Sequence, residues 1–411
     1  MTRGGWLAGA VLAAGAAIAG ARSLAAQDTS LPPRVVPVYL VPADHAFDPQ
    51  RLRLHVQAVA DVRQWYARAL GGVTFIADPV IVHRSRHTFA ELAADDFQAW
   101  WPLLAAEFRD LGLPWDAQSD FKLLLLAQAA GGWAGGDSEN GGLEAPGDAG
   151  STSHGNLGGL VVIGDSSVAG VLAGVCPADG IVGGTIWWCN WDTYRGTIAH
   201  ELGHTWGIPH PDAFLPREVD GTARRWDCGV DGNTLMQCHW GFPHDSLLAY
   251  ERRHLRSLRF FVGGAGHPLV SLVEMVPDSA SGSRTLRRPG TARDSASAAA
   301  WVRRTDGGMT GYPSAVTLAA GAWIRWRAPG GCGLLVTAVG RAAEAGGRGT
   351  VEVLVDDSTA VRTDVAPDGA TGVALSICPH RTVTLRVAGD DRFAAVLGSP
   401  RFYPRGSSQA P

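Results

Sequence analysis

Lysine is nearly absent from this chain: Lys122 is the only one in 411 residues, and arginine carries the rest of the positive charge. There is no basic run and the net charge is −4, which excludes the dense cationic footprint that a phosphate backbone demands. Charged residues reach only 18% against 46% hydrophobic, a globular balance and not a disordered one. No cysteine occurs before Cys176, which rules out a lipid-modified cysteine near the start. No two cysteines form a C-x-x-C pair, the usual spacing of thiolate zinc sites. No Gly-x-Ser-x-Gly elbow of a serine hydrolase occurs. Internal repeats are also lacking.

What is abundant is glycine (53) and proline (24), close to a fifth of the chain, so loops are expected to be many. The first 25 residues read as an export signal. Arg3 is followed by an uncharged apolar stretch from Trp6 to Gly20, then by small residues at Ser23 and Ala25. That stretch is short for a membrane span of roughly 20 residues, the alternative reading. The expectation is a secreted, extracellular protein without a stable membrane span. Six cysteines, Cys176, Cys189, Cys228, Cys238, Cys332 and Cys378, agree with an oxidising compartment. Nearest neighbours are the expected pairs: Cys176 with Cys189, Cys228 with Cys238, Cys332 with Cys378.

Local patterns divide the chain. Arg34–Val41 reads as a strand, and Asp48 before Pro49 opens a helix to about Leu70. Val73–Val82 reads as a strand. Thr88 and Glu91 form a capping box for a helix to about Asp110. Phe121–Ala127 is an apolar, hence central, strand, and Gly159–Gly164 another. Between them, Gly131–Gly158 reads as a long loop. Its Asp137, Glu139, Glu144 and Asp148 suit either a calcium ion or plain solvation. Ile181–Trp188 reads as an extended segment. After about residue 266, short strands at close spacing indicate a β-sandwich. The expected organisation is an α+β domain over 34–265, a linker over 266–290 and an all-β sandwich over 291–411.

The chemistry is concentrated between Thr197 and His210. His200 and His204 stand one turn apart on one helix face and can grip one metal ion. Glu201, beside the first ligand, is placed to take a proton from a metal-bound water. Gly207 suits the left-handed residue that ends such a helix, and His210 then offers a third nitrogen. Three neutral imidazoles suit Zn2+, with a fourth position for water. Ile198, Leu202 and Trp206 would bury the opposite stripe. His154, His239 and His244 are further candidates to touch the site, or ordinary surface residues. His83 and His87 share the i, i+4 spacing but lack an intervening Glu.

The run His200-Glu201-Leu202-Gly203-His204-Thr205-Trp206-Gly207-Ile208-Pro209-His210 resembles the motif of the metzincin zinc endopeptidases. That clan also carries a methionine turn beneath the metal, and Gly232 to Cys238 resembles it, with Met236 as the methionine. The resemblance implies a mixed sheet with long helices and hydrolysis of peptide bonds, with Glu201 as general base. It also implies a peptide substrate lying along an edge strand, for which Gly159–Ile163 is the candidate, and a closing helix from a Ser246 cap to Leu258. Cys238 stands where some members place a metal-reaching tyrosine. The sandwich resembles galactose-binding-type jelly rolls, which implies a possible carbohydrate partner beside a polypeptide or glycoprotein substrate. Two other readings remain open: a zinc amidase acting on cell-wall or glycan-linked material, and a binding protein with a structural metal.

Overall fold

The computed structural model describes residues 32–92, 97–110, 119–128, 134–137, 155–165, 168, 170, 172, 191–214, 224–228, 230–262, 270–288, 298–329, 332–377 and 381–404. The expected leader, Ile181–Trp188, His154, Glu139, Glu144, Asp148, Cys176, Cys189 and Cys378 lie outside these residues.

The apolar run after Arg34 forms β1 (Arg34–Val41), buried along its whole length. The Asp48 carboxylate then accepts the backbone N–H groups of Gln50 (2.7 Å) and Arg51 (3.3 Å). With Pro49 in the first turn, this starts α1 (Pro49–Ala69). The expected strand over 73–82 is split in two. β2 (Thr74–Phe75) leaves to pair with β7 (Phe261–Val262), and only β3 (Ile81–Arg84) runs beside β1. Pro79, which has no N–H to give a ladder, and Asp78, bound by arginines, lie at the break. Thr88 and Glu91 exchange their capping bonds at the start of α2 (Phe89–Leu92), and α3 (Phe97–Asp110) follows.

β4 (Phe121–Ala127) and β6 (Gly159–Gly164) complete a parallel core with β1 and β3. The expected loop over 131–158 holds a strand: β5 (Ala134–Asp137) pairs antiparallel to β6 and forms that end of the sheet. Gly159–Ile163 therefore lies inside the sheet and is not an edge available to a peptide. The signal was hidden because β5 reads Ala-Gly-Gly-Asp, with no apolar alternation.

One face of this sheet packs on α1 and on α4 (Trp191–Thr205). After α4 come α5 (Leu235–Cys238) and α6 (Ala249–Ser257). Ser246 does not cap α6; its hydroxyl donates to the Asn233 carbonyl (2.8 Å). The capping carboxylate is Glu251, which accepts the Leu248 N–H at 2.6 Å and faces the Thr234 hydroxyl at 3.4 Å. No helix among the described residues is long and apolar enough to cross a membrane.

The second half is a two-sheet sandwich, and the stretch expected as a linker supplies strands to it. One sheet runs β10 (Arg284–Arg287), β13 (Ala315–Ala319), β20 (Ala394–Pro404), β15 (Gly333–Arg341) and β18 (Ala370–Ile377), with β8 (Val270–Ser271) on β20. The other runs β17 (Ser358–Val365), β16 (Gly349–Val355), β19 (Thr382–Gly389), β14 (Trp323–Arg327) and β9 (Ser279–Ser281). Trp326, Phe393 and Phe402 lie in the core between them. The hairpin of β11 (Ala300–Arg303) and β12 (Met309–Tyr312) belongs elsewhere. It pairs antiparallel with β3 and extends the first sheet to seven strands. A buried ion cluster adds a second tie between the halves. Asp78 accepts from Arg34 (3.2 Å), from Arg401 on β20 (2.8 Å) and from the Tyr403 hydroxyl. Removing one partner of such a buried cluster costs about 3–5 kcal/mol.

Glu251 gives a pH signature. It is fully buried, and burial pushes its carboxyl up to about 7 despite its hydrogen bonds. The folded chain thus holds this proton where the unfolded chain has lost it. The stabilisation is complete below about pH 4.5 and is lost as pH rises through about 7, a swing of roughly 3 kcal/mol. Glu251→Gln keeps an acceptor for Leu248 without titrating. Its melting temperature is expected to gain on the parent's as pH is raised from about 4.5 to 7, measured by calorimetry across that range.

Candidate metal centre

Contacts on its buried side set how α4 is rotated. Ile198, Leu202 and Trp206 are fully buried. The Tyr66 ring of α1 meets Trp206 edge-on (5.1 Å), and its hydroxyl donates to the Ala199 carbonyl (2.8 Å). Nearer the start of α4, the Tyr194 hydroxyl lies 2.9 Å from His55 Nδ1 of α1. Arg51 donates to both oxygens of the buried Asp165 at 2.8 and 3.0 Å. Asp192 sits within the first turn of α4 and pairs with Arg195.

The helix stops at Gly207, whose φ of 78° only glycine adopts without strain. Its N–H bonds the His204 carbonyl (2.8 Å), and the Ile208 N–H bonds the Gly203 carbonyl (3.1 Å). This is the paired closure of a Schellman turn. The chain turns back through Pro209 and brings His210 to the first two histidines. The three Nε2 atoms stand 3.0, 3.2 and 3.2 Å apart.

Protonation follows from the other ring nitrogens. His200 Nδ1 donates to the Leu235 carbonyl and His204 Nδ1 to the Ile208 carbonyl, each at 2.9 Å. Both Nε2 atoms are then left as lone-pair acceptors. Burial, and next the neighbouring imidazoles, hold His200 well below the ordinary histidine value and bring His204 down to about 3. Burial lowers His210 as well. His200 and His204 aim lone pairs at one point where His210 Nε2 joins them, a set of neutral nitrogens that suits a cation. Tetrahedral zinc, with Zn–N of about 2.0–2.1 Å, sets its nitrogens about 3.3–3.4 Å apart. The spacing here is a few tenths tighter. The triad can hold a metal ion.

Beneath the helix lies the segment 234–242. Met236 is fully buried, and a Cβ on Gly203 would sit 2.5 Å from its Sδ. A Cβ on Gly196 would collide with the His239 carbonyl. Both glycines weaken the helix by roughly 1 kcal/mol relative to Ala, and both are needed for this approach. Cys228 and Cys238 are joined by a disulfide that closes the loop carrying Met236. Cys332 is also disulfide-bonded, to a partner outside the described residues.

Glu201 is partly exposed next to His200 on α4. Of the other histidines, His239 is drawn in: its ring lies 4.6 Å from that of His200, and burial brings it down to about 4. His244 is exposed. His83 faces Glu107 at 2.7 Å, remote from the triad, and His87 lies 3.9 Å from the same carboxylate. Asp137 falls in β5. Phe242 packs on Trp65 (5.7 Å), which accounts for it as core.

No protein-family model matches the chain, and no curated protein matches it. Among solved structures it aligns over 88% of its length with 84% of OgpA from Akkermansia muciniphila, a catalytically inactive form in complex with an O-glycopeptide. The identity is 12% and the TM-score 0.32. It aligns over 33% of its length with 31% of a ZmpB structure from Clostridium perfringens (CBM51-2 with GlcNAc, and INT domains), at 15% identity and a TM-score of 0.29. A ZmpB structure with the M60 catalytic domain and two CBM51 domains matches over 34% of this chain and 15% of that one, at 16% identity and 0.30. The chain thus spans about a third of the first ZmpB structure and less of the second. At such scores these likenesses carry no weight for fold or function.

Sequence reasoning passed over Lys122, although a lone lysine within an apolar strand was a visible anomaly. Its side chain is fully buried in β4. Nζ donates to the carbonyls of Leu157 (2.7 Å) and Thr205 (2.6 Å) and lies 4.6 Å from the Phe260 ring centroid. It thereby caps the last carbonyl of α4, while His254 Nε2 donates to the Trp206 carbonyl (2.7 Å). Burial, and next the Arg259 guanidinium, hold the Lys122 amine well below the ordinary lysine value, while the negative end of the helix dipole favours its charged form. Lys122→Met is expected to lower stability by about 1–3 kcal/mol for each carbonyl left without a donor, as read from urea unfolding. Native protein should also resist acylation at Lys122 until it unfolds, as read by mass spectrometry.

Proposed function

We propose that this is an exported zinc endopeptidase of metzincin type. The observation that carries the reading is the convergence, within 3.2 Å, of the Nε2 atoms of His200 and His204 on α4 with that of His210 beyond the turn, with Glu201 next to His200. A closed structural site has no use for a base beside its ligands. Met236, buried under Gly203, supports the metzincin assignment. The leader-like residues 1–25 and the disulfide between Cys228 and Cys238 support export.

In this reading His200, His204 and His210 hold zinc, which when bound lowers the pKa of a water to about 7 and polarises a carbonyl. Leu235 and Ile208 hold two of the rings in the ligating tautomer through their carbonyls. Glu201 takes the proton from the attacking water. It then delivers that proton to the departing amine, so it begins as a base and ends as an acid. Polypeptide or glycoprotein chains are the substrate class. The sheet edge that would receive an extended peptide is β5, since β6 is enclosed.

The test compares the parent with two variants on a mixed peptide library, with metal content measured on each. Glu201→Ala is expected to keep its zinc and lose at least about a hundredfold in rate. His204→Ala is expected to lose the zinc as well. Cleavage that persists in Glu201→Ala would refute the mechanism. Intact peptides from a zinc-loaded parent would refute the peptidase assignment and point to an amide joined to glycan.

A further inference from the structure

We propose that the cleft between the two halves of the molecule is a second binding site, for a sugar that carries a carboxylate. The cavity has a volume of about 430 Å3, inside the range of roughly 300–1,000 Å3 usual for small-ligand sites. It opens between β1 and β3 on one side and β12, β15, β18 and β20 on the other. Its rim is exposed, at Asp110, Thr305 and Ala370. Its floor is polar yet buried, at Asp78, Ser399 and Arg401. None of the lining residues belongs to the histidine triad.

Three features of the floor define the ligand. The first is charge. Asp78 is shared by two guanidiniums, those of Arg34 and Arg401, so one carboxylate faces two cations. Asp78 also accepts from the Tyr403 hydroxyl on its other oxygen. Arg34 donates through Nε to Asp78 and reaches the Pro32 carbonyl only at 3.4 Å through Nη1. Its Nη2 has no partner among the described residues. Spare guanidinium donors, with two cations to one carboxylate, favour a second carboxylate, brought by the ligand.

The second feature is Ser399. It is 3% exposed, and its Oγ has no hydrogen-bond partner among the described residues. Its backbone stands at φ 47°, where a residue with a side chain is strained. The backbone groups are satisfied: the N–H donates to the Ser314 carbonyl, and the carbonyl accepts from Arg401 Nη1. Only the hydroxyl is left over. A buried hydroxyl without a partner is costly, and a ligand hydroxyl in the cleft would recover that cost. The third feature is the apolar wall, where Pro79, Phe108 and Tyr312 line the cavity and suit the face of a sugar ring. Carboxylate, hydroxyl and ring together describe an acidic monosaccharide.

The test is calorimetric titration of the intact protein with D-glucuronate, with neutral D-glucose as control. Methyl D-glucuronide stands in for the terminal residue of a glycan. Saturable binding of glucuronate, with glucose at least about tenfold weaker and affinity falling with added salt, is expected. Binding of the free acid alone assigns a free sugar; binding of the methyl glycoside as well assigns a glycan terminus. Ala370→Trp, at an exposed rim position, should block the mouth without disturbing the fold. Arg34→Gln should weaken binding at least about tenfold. If Arg34→Gln does not fold, Ala370→Trp still decides. No binding of glucuronate, equal binding of glucose, or binding unchanged in Ala370→Trp would overturn the proposal. Chelator-stripped protein should bind as well as zinc-loaded protein, so this outcome is independent of whether the triad is a peptidase centre.

Discussion

The candidate centre depends on how closely the segment 234–242 approaches the underside of α4. Two places in the helix have no room for a methyl group: Gly196 against the His239 carbonyl and Gly203 against Met236. Because these positions are bare, the Leu235 carbonyl comes within 2.9 Å of His200 Nδ1 and fixes that ring. The same approach sets His239 beside the triad. The helix loses intrinsic stability at both glycines, and packing of Ile198, Leu202 and Trp206 against α1 and the sheet offsets it. The disulfide between Cys228 and Cys238 ties the same segment to the chain just before it.

The far end of the helix is held by different physics. A Schellman turn at Gly207 reverses the chain. Lys122 and His254 donate to the two carbonyls that follow the ligand turn of α4. The parallel sheet positions Lys122, and β6, which is buried along its length, keeps the loop before it within reach. The sandwich contributes at a distance. Its hairpin of β11 and β12 covers the β3 side of the sheet, and the Asp78 cluster clamps the two halves. The β5 side of the sheet lies away from that hairpin.

Much of this was legible in the residues, for local reasons. Arg34–Val41 and Phe121–Ala127 are near-continuous apolar runs, and such runs are what doubly covered parallel strands require. Asp48 with Pro49, and Thr88 with Glu91, carry their capping chemistry within a few positions. The histidine spacing is likewise local. What escaped was non-local or unpatterned. β5 is made of Ala, two Gly and Asp and forms only because β6 lies beside it. The transfer of Ala300–Tyr312 to the first sheet, and the use of 270–287 by the second, depend on partners far away in sequence. Lys122 was conspicuous, but its partner carbonyls come from two distant turns.

The central claim is that three histidines converge as a zinc site. X-ray absorption at the zinc edge of the purified full chain tests it most directly. One zinc per chain, with three imidazole nitrogens at about 2.0–2.1 Å and a light oxygen neighbour, is the predicted result. His210→Ala should abolish this three-imidazole signature. Zinc absent after purification and not taken up on addition, zinc bound through sulfur, or a spectrum unchanged in His210→Ala would contradict the account.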